Sequence, residues 1–245
     1  IFAKDTLATW KAPAGVALNS DFTVKVRLQD GVWHTLSSYL IKVDEVRDTR
    51  HYVENASMVI FDFTGKVEVA VTYNLGEVQT AKVRPLSYDI PFQIDGNTVT
   101  FTLEHPRNLS VEVNGDIFHN LHLFTGSPER TIPDKDNPEV IYLGPGIHTV
   151  KNGELRVPSG KTVYLAGGAV LMGRVLIENV HDVKLLGRGI IDYSIKGGIR
   201  IANSRDVYVE GIVATQCATG GSENVTIRNV KSISYYGWGD GMNVF

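Results

Sequence analysis

The chain has 245 residues, a formal net charge of -3, a pI near 6.2 and no run of lysine or arginine. That balance gives no electrostatic reason to expect nucleic acid or an anionic membrane surface as partner. The single cysteine, Cys217, excludes an internal disulfide framework, and no apolar run approaches the roughly eighteen residues a membrane span needs.

Taken in order, the first part reads as a succession of strands. Phe22–Leu28, Met58–Phe63, Val67–Tyr73 and 97–103 alternate apolar and polar residues, the period of a half-buried strand. Turn signals at Asp30-Gly31, at Asn74 to Gly76 and at Asp95-Gly96-Asn97 separate them, and no stretch has clean helical spacing. With 109–113 and 121–124 added, residues 1–128 are expected to form a β-sandwich. Residues 129–139 lie in a stretch rich in proline and charge and are expected to be a linker. The chain opens on Ile1 with no signal-peptide pattern.

From residue 140 to 245 the sequence repeats itself. Apolar pairs two residues apart recur at Leu155/Val157, Val175/Ile177, Ile199/Ile201, Cys217/Thr219 and Met242/Val244. The intervals 155 to 175, 175 to 199, 199 to 217 and 217 to 242 are 20, 24, 18 and 25 residues. A valine follows the first member of a pair by eight residues at Val163, Val183, Val207 and Val225. Constant spacing inside strands with variable spacing between them describes the coils of a parallel β-helix. Successive coils lie roughly 4.8 Å apart, so an inward position must stay apolar in every coil. The four valines are read as one internal column and Cys217 as a small core residue of another. The steps Ser159-Gly160, His181-Asp182, Ser204-Arg205 and Ser222-Glu223 are read as the turns before the valine strand. The whole chain is therefore expected to be all-β, a sandwich followed by a right-handed parallel β-helix of about four to five coils.

The same registration singles out Asp240. It stands two positions before Met242, where earlier coils carry Gly153, Gly173, Gly197 and Thr215. A shallow surface ending in a carboxylate, with Tyr235, Tyr236 and Trp238 close by, suits a sugar chain. Aromatic faces pack on pyranose rings, and a fixed carboxylate does acid or base work at a glycosidic oxygen or a water. The competing reading makes Asp240 a turn residue in a Gly-Asp-Gly bend.

Residues 108 to 245 resemble the β-helical glycoside hydrolases of the polygalacturonase and dextranase clan, especially members with an N-terminal β-sandwich. The matching stretches are 108–115 with 120–124, then 140–148, 160–170 and Gly187-Arg188-Gly189-Ile190-Ile191-Asp192. Gly239-Asp240-Gly241-Met242-Asn243-Val244 resembles the clan's Asn-Thr-Asp-Gly-Ile-Asp-Ile/Val motif, although Trp238 and Gly239 stand where polygalacturonases have Asn and Thr. The resemblance implies that Asp240 is a catalytic carboxylate and that the substrate is a polysaccharide. It also implies hydrolysis with inversion, without cofactor or metal, in a secreted, periplasmic or cell-surface protein. Tyr235, Tyr236, Trp238, Asn243 and Arg200 are the expected substrate contacts, Arg200 being the one that would meet an acidic sugar. The clan's further motifs, an Asp-Asp pair, Gly-His-Gly and Arg-x-Lys, do not occur before Phe245. The expectation is a part of a longer enzyme, inactive alone.

Weaker signals remain. His119 and His122 have helical metal-ligand spacing, but on a strand residues three apart face opposite sides. Asp134 and Asp136 resemble the start of a calcium loop without its glycine and glutamate. Asn55, Asn108 and Asn224 head glycosylation sequons. Two other functions stay open beside the hydrolase: a polysaccharide lyase, which would need a calcium cluster or a poised base, and a non-catalytic glycan-binding solenoid.

Overall fold

The computed structural model describes residues 5–29, 31–192, 198–233 and 241–244. Two compact units result, one of residues 1–11 and 16–128, the other of 12–15 and 129–245. Strands dominate both units. Leu86–Tyr88 forms a short 3-10 turn, and among the described residues no helix is long and apolar enough to cross a membrane.

In the first unit two sheets enclose one core. One sheet has the order Thr6–Thr9, Arg50–Thr64, Asp116–Gly126, Asn108–Val113 and Ala81–Arg84, with Tyr39–Arg47 also paired to Arg50–Thr64. The other runs His34–Thr35, Phe22–Leu28, Val67–Tyr73, Thr98–Leu103 and Phe92–Asp95. Alternate residues point inward, so Val24, Val26, Val69, Val71 and Phe101 of one sheet meet Phe61, Phe63, Val111, Leu121 and Leu123 of the other. Burying each such side chain contributes about 1.5–3 kcal/mol.

Three ladders of parallel strands build the second unit. The first stacks Val140–Leu143, Thr162–Leu165, His181–Gly187, Arg205–Glu210 and Glu223–Arg228. The second stacks the leading halves of Gly146–Arg156 and Ala169–Glu178, then Ile190–Ile191, Val213–Ala214 and Lys231–Ser232. The third takes the trailing halves of the two long strands, followed by Ile199–Ala202, Cys217–Gly220 and Met242–Val244. This is a β-solenoid, and its inward residues include Val163, Leu185, Val175, Ile199, Val207 and Cys217. Segment 129–139 belongs to this unit: Tyr164 Oη donates to Glu129 at 2.9 Å, and Lys161 Nζ donates to the Pro138 carbonyl at 2.9 Å.

The third ladder is the one the apolar pairs define, since Leu155, Val175, Ile199, Cys217 and Met242 are successive Cα partners. The valine column departs from expectation at one step. Val183, Val207 and Val225 stack, but Val163 pairs with Leu185. From Val163 to Leu185 is 22 residues, whereas from Leu155 to Val175 is 20, so the first corner is two residues shorter than the second. An even slip keeps every side chain on its own face, which is why the core tolerates it.

The corners have their own chemistry. Asp182, Asp206 and Asn224 share a register with φ of 56°, 56° and 50°, and Asn179 and Asn203 precede them at 55° and 48°. Short polar side chains accept this left-handed backbone better than any other type except glycine. A serine column then satisfies the turning backbone. The Val180 amide donates to Ser204 Oγ at 3.2 Å, and the Ser204 amide donates to Ser222 Oγ at 3.1 Å. His181 lies at this corner, opening its strand, exposed, with Nδ1 2.8 Å from Asp182.

Cys217 is fully buried within the solenoid core, and burial pushes its thiol up to about 12. Thiolate is the reactive form. The native protein should therefore resist thiol reagents at mildly alkaline pH and react fully once denatured. Labelling of the native chain at the rate of a free cysteine would contradict the packing.

Candidate functional site

Asp240, Tyr235, Tyr236 and Trp238 lie outside the described residues. The structure does describe the residues on either side of them. Gly241 offers its carbonyl to the Cys217 amide at 3.0 Å, and Met242, Asn243 and Val244 pair with Cys217, Ala218 and Thr219. A Cβ on Gly241 would lie 3.1 Å from Ser232 Cβ, so the chain passes close to the second ladder there. Ser232 Oγ in turn donates to the Thr215 carbonyl at 2.6 Å. The backbone just after Asp240 is thus fixed by strand register on one side and by Ser232 on the other. Thr215, two positions before Cys217 as Asp240 is two before Met242, is buried, and its Oγ1 has no hydrogen-bond partner among the described residues.

Arg200 is exposed on the outer face of the third ladder, one rung below Ala218 and two below Asn243. It is not isolated. Its Nε lies 3.2 Å from Glu178, which also accepts from Arg156 at 3.1 Å. Arg156 reaches Glu154 at 2.7 Å, and Arg174 completes the chain on the same Glu154. Hydrogen bonds from Arg174 and then Arg156 hold the Glu154 carboxyl below its usual range, while Glu154 first and Glu178 second raise Arg156. Three guanidiniums and two carboxylates form one connected network, and within it the cation expected to meet an acidic sugar is paired with Glu178. Above it the outer positions shrink to Ala202, Ala218 and Gly220, leaving the face low toward the Met242–Val244 strand.

His119 is an exposed residue bonded to Asp116 at 2.9 Å and Glu54 at 3.1 Å, which raise its pKa, Asp116 being the larger cause. His122 lies against Phe124, with ring centroids 6.1 Å apart, and burial lowers its pKa. Asp134 caps a turn through the Asp136 amide at 3.0 Å. Asn55, Asn108 and Asn224 are all exposed. Sequence reasoning passed over the Glu154–Arg156–Glu178 network, whose charges fall at three neighbouring registers, Glu154 with Arg174, Arg156 with Arg200, and Glu178 opposite Ala202. It also passed over Asp192 and Lys231, both buried and both engaged.

No protein-family model and no curated protein matches the chain. Among solved structures the chain is similar to Dex49A from Penicillium minioluteum, with a TM-score of 0.55 and 15% sequence identity. The likeness covers 99% of this chain and 62% of that one, so this chain spans under two thirds of its neighbour's length. The two share a fold, a β-solenoid.

Proposed function

We propose that this chain contributes one wall of a glycan-hydrolysing site on the third ladder, centred on Asp240. The observation that carries the reading is register: the strand that follows Asp240 is a rung of the solenoid, with Met242 directly on Cys217 and the Gly241 carbonyl bonded to it. The fold likeness to the dextranase Dex49A supports the same class of chemistry. The substrate is a neutral polysaccharide, a glucan such as dextran, in preference to pectin, because Arg200 is already paired with Glu178. Asp240 orients or deprotonates the attacking water, a second acid protonates the leaving oxygen, and the anomeric centre inverts. Tyr235, Tyr236, Trp238 and Asn243 contact the sugar. The protein acts outside the cytoplasm, where such polymers are met.

Reducing-end release from dextran, starch, cellulose and pectin by the whole protein tests this. Release from a neutral glucan is expected. Glycan binding without release from any polymer would replace the hydrolase with a non-catalytic binding solenoid.

A further inference from the structure

A polar groove of about 480 Å³ lies on the outer side of the first ladder, a different ladder from the one Asp240 leads into. Its size falls in the range of small-molecule sites, about 300–1,000 Å³. Its lining repeats from rung to rung. One column is Asp182, Asp206 and Asn224, the left-handed corner residues; beside it, Lys184, Tyr208 and Thr226 pair in register. The corner residues turn the backbone at the start of each strand, so the groove follows from the same left-handed positions that close the coil.

We propose that this groove binds a neutral oligosaccharide lying along the solenoid axis. The lining supplies the two things a sugar chain needs. Carboxylate, amide and hydroxyl groups recur at the rung spacing, roughly 4.8 Å, and can pair with successive sugar hydroxyls. An aromatic ring lies among them for a pyranose face. That ring is held, because Tyr208 Oη donates to Glu210, and Asn224 Nδ2 donates to Asp206 Oδ1 at 2.6 Å, so both columns are set before a ligand arrives. Preset side chains bind at lower entropic cost.

Charge narrows the class. Two carboxylates against the one ammonium of Lys184 disfavour uronic-acid polymers and phosphates. A bare cation is a poor occupant, since Asp182 is engaged by His181 and Asp206 by Asn224, and no metal-holding group of three or more His, Cys, Asp or Glu exists among the described residues. Val207, the one purely apolar residue of the lining, has its side chain in the solenoid core, which leaves too little apolar surface for a lipid or an apolar peptide. The inference does not depend on whether Asp240 is catalytic.

The experiment titrates isomalto-, cello- and galacturono-oligosaccharides into the full 245-residue chain carrying Asp240→Asn, read by backbone amide shifts. Neutral oligosaccharides should move the amides of 206–208 and 224–226, and oligogalacturonates should not. Tyr208→Ala and Asp206→Ala should each weaken binding about tenfold, the worth of one good aromatic or hydrogen-bonded contact, while Tyr208→Phe, which keeps the ring but loses its bond to Glu210, should weaken it less than Tyr208→Ala. Shift mapping on the otherwise unaltered groove keeps the test decisive should either alanine variant misfold. Three results would overturn the inference: no shift in these amides with any neutral glycan, binding that survives both alanine substitutions, or a preference for galacturonates.

Discussion

Gly187→Ala should destabilise the second unit by at least about 3 kcal/mol, a large part of the roughly 5–15 kcal/mol that holds a domain together. Gly187 has φ +127°, and a Cβ there would lie 1.9 Å from the Leu165 carbonyl oxygen and 2.7 Å from its carbon. That carbonyl cannot retreat cheaply, for it accepts the Arg188 amide at 2.9 Å and the Gly189 amide at 3.1 Å. Relieving the clash breaks one or both bonds, each worth about 1 kcal/mol and more if a partner stays buried and unmet. The backbone region itself costs about 1–3 kcal/mol for a residue with a side chain. Gly115→Ala is the control: φ is +81° but nothing lies within 4 Å of its Cβ, so only the backbone cost applies. Denaturant unfolding read by circular dichroism gives both values. An unshifted midpoint for Gly187→Ala would mean that the Leu165–Gly187 pairing is misplaced.

Sequence legibility in this protein tracks burial. The apolar pairs from Leu155 to Met242 were readable because stacking forces one residue type on each inward position, and the structure keeps that register throughout the third ladder. A count of eight from Leu155 puts Val163 in the wrong column because that corner is two residues shorter, and a valine satisfies either partner. The second ladder was invisible: strands as short as Ile190–Ile191 and Val213–Ala214 carry no period to detect. In the first unit the hairpin of Tyr39–Arg47 and Arg50–Thr64 was missed for a different reason. Its turn places Asp48 and Thr49 at φ 46° and 70°, a conformation usually announced by Asn-Gly, so no familiar turn signal stood there. The left-handed Asp and Asn corners were readable in principle, as the recurrence of Asp182, Asp206 and Asn224 at strand starts shows. At the candidate site, sequence supplied Arg200 but not its partner, because Glu178 meets it only across rungs.

Asp240→Asn should lower turnover of the whole protein by about 10²–10⁴-fold with little change in KM, the worth of a positioned acid or base. Asparagine keeps the shape and hydrogen-bonding reach of aspartate but holds no negative charge and takes no proton, so substrate affinity survives while water activation is lost. Arg200→Ala provides the contrast. Its side chain is exposed and shared with Glu178, a surface pair worth about 0–1 kcal/mol, so both turnover and stability should move only a few-fold. A larger Arg200 effect confined to KM, seen with acidic polymers alone, would move the substrate assignment back toward pectin. Thermal unfolding separates chemistry from folding in the Asp240 variant. Should Asp240→Asn hydrolyse at the wild-type rate with an unchanged Tm, Asp240 is a turn residue of the Gly-Asp-Gly bend and the catalytic carboxylates must be sought elsewhere; a lowered rate with an unchanged Tm assigns the charge to the reaction.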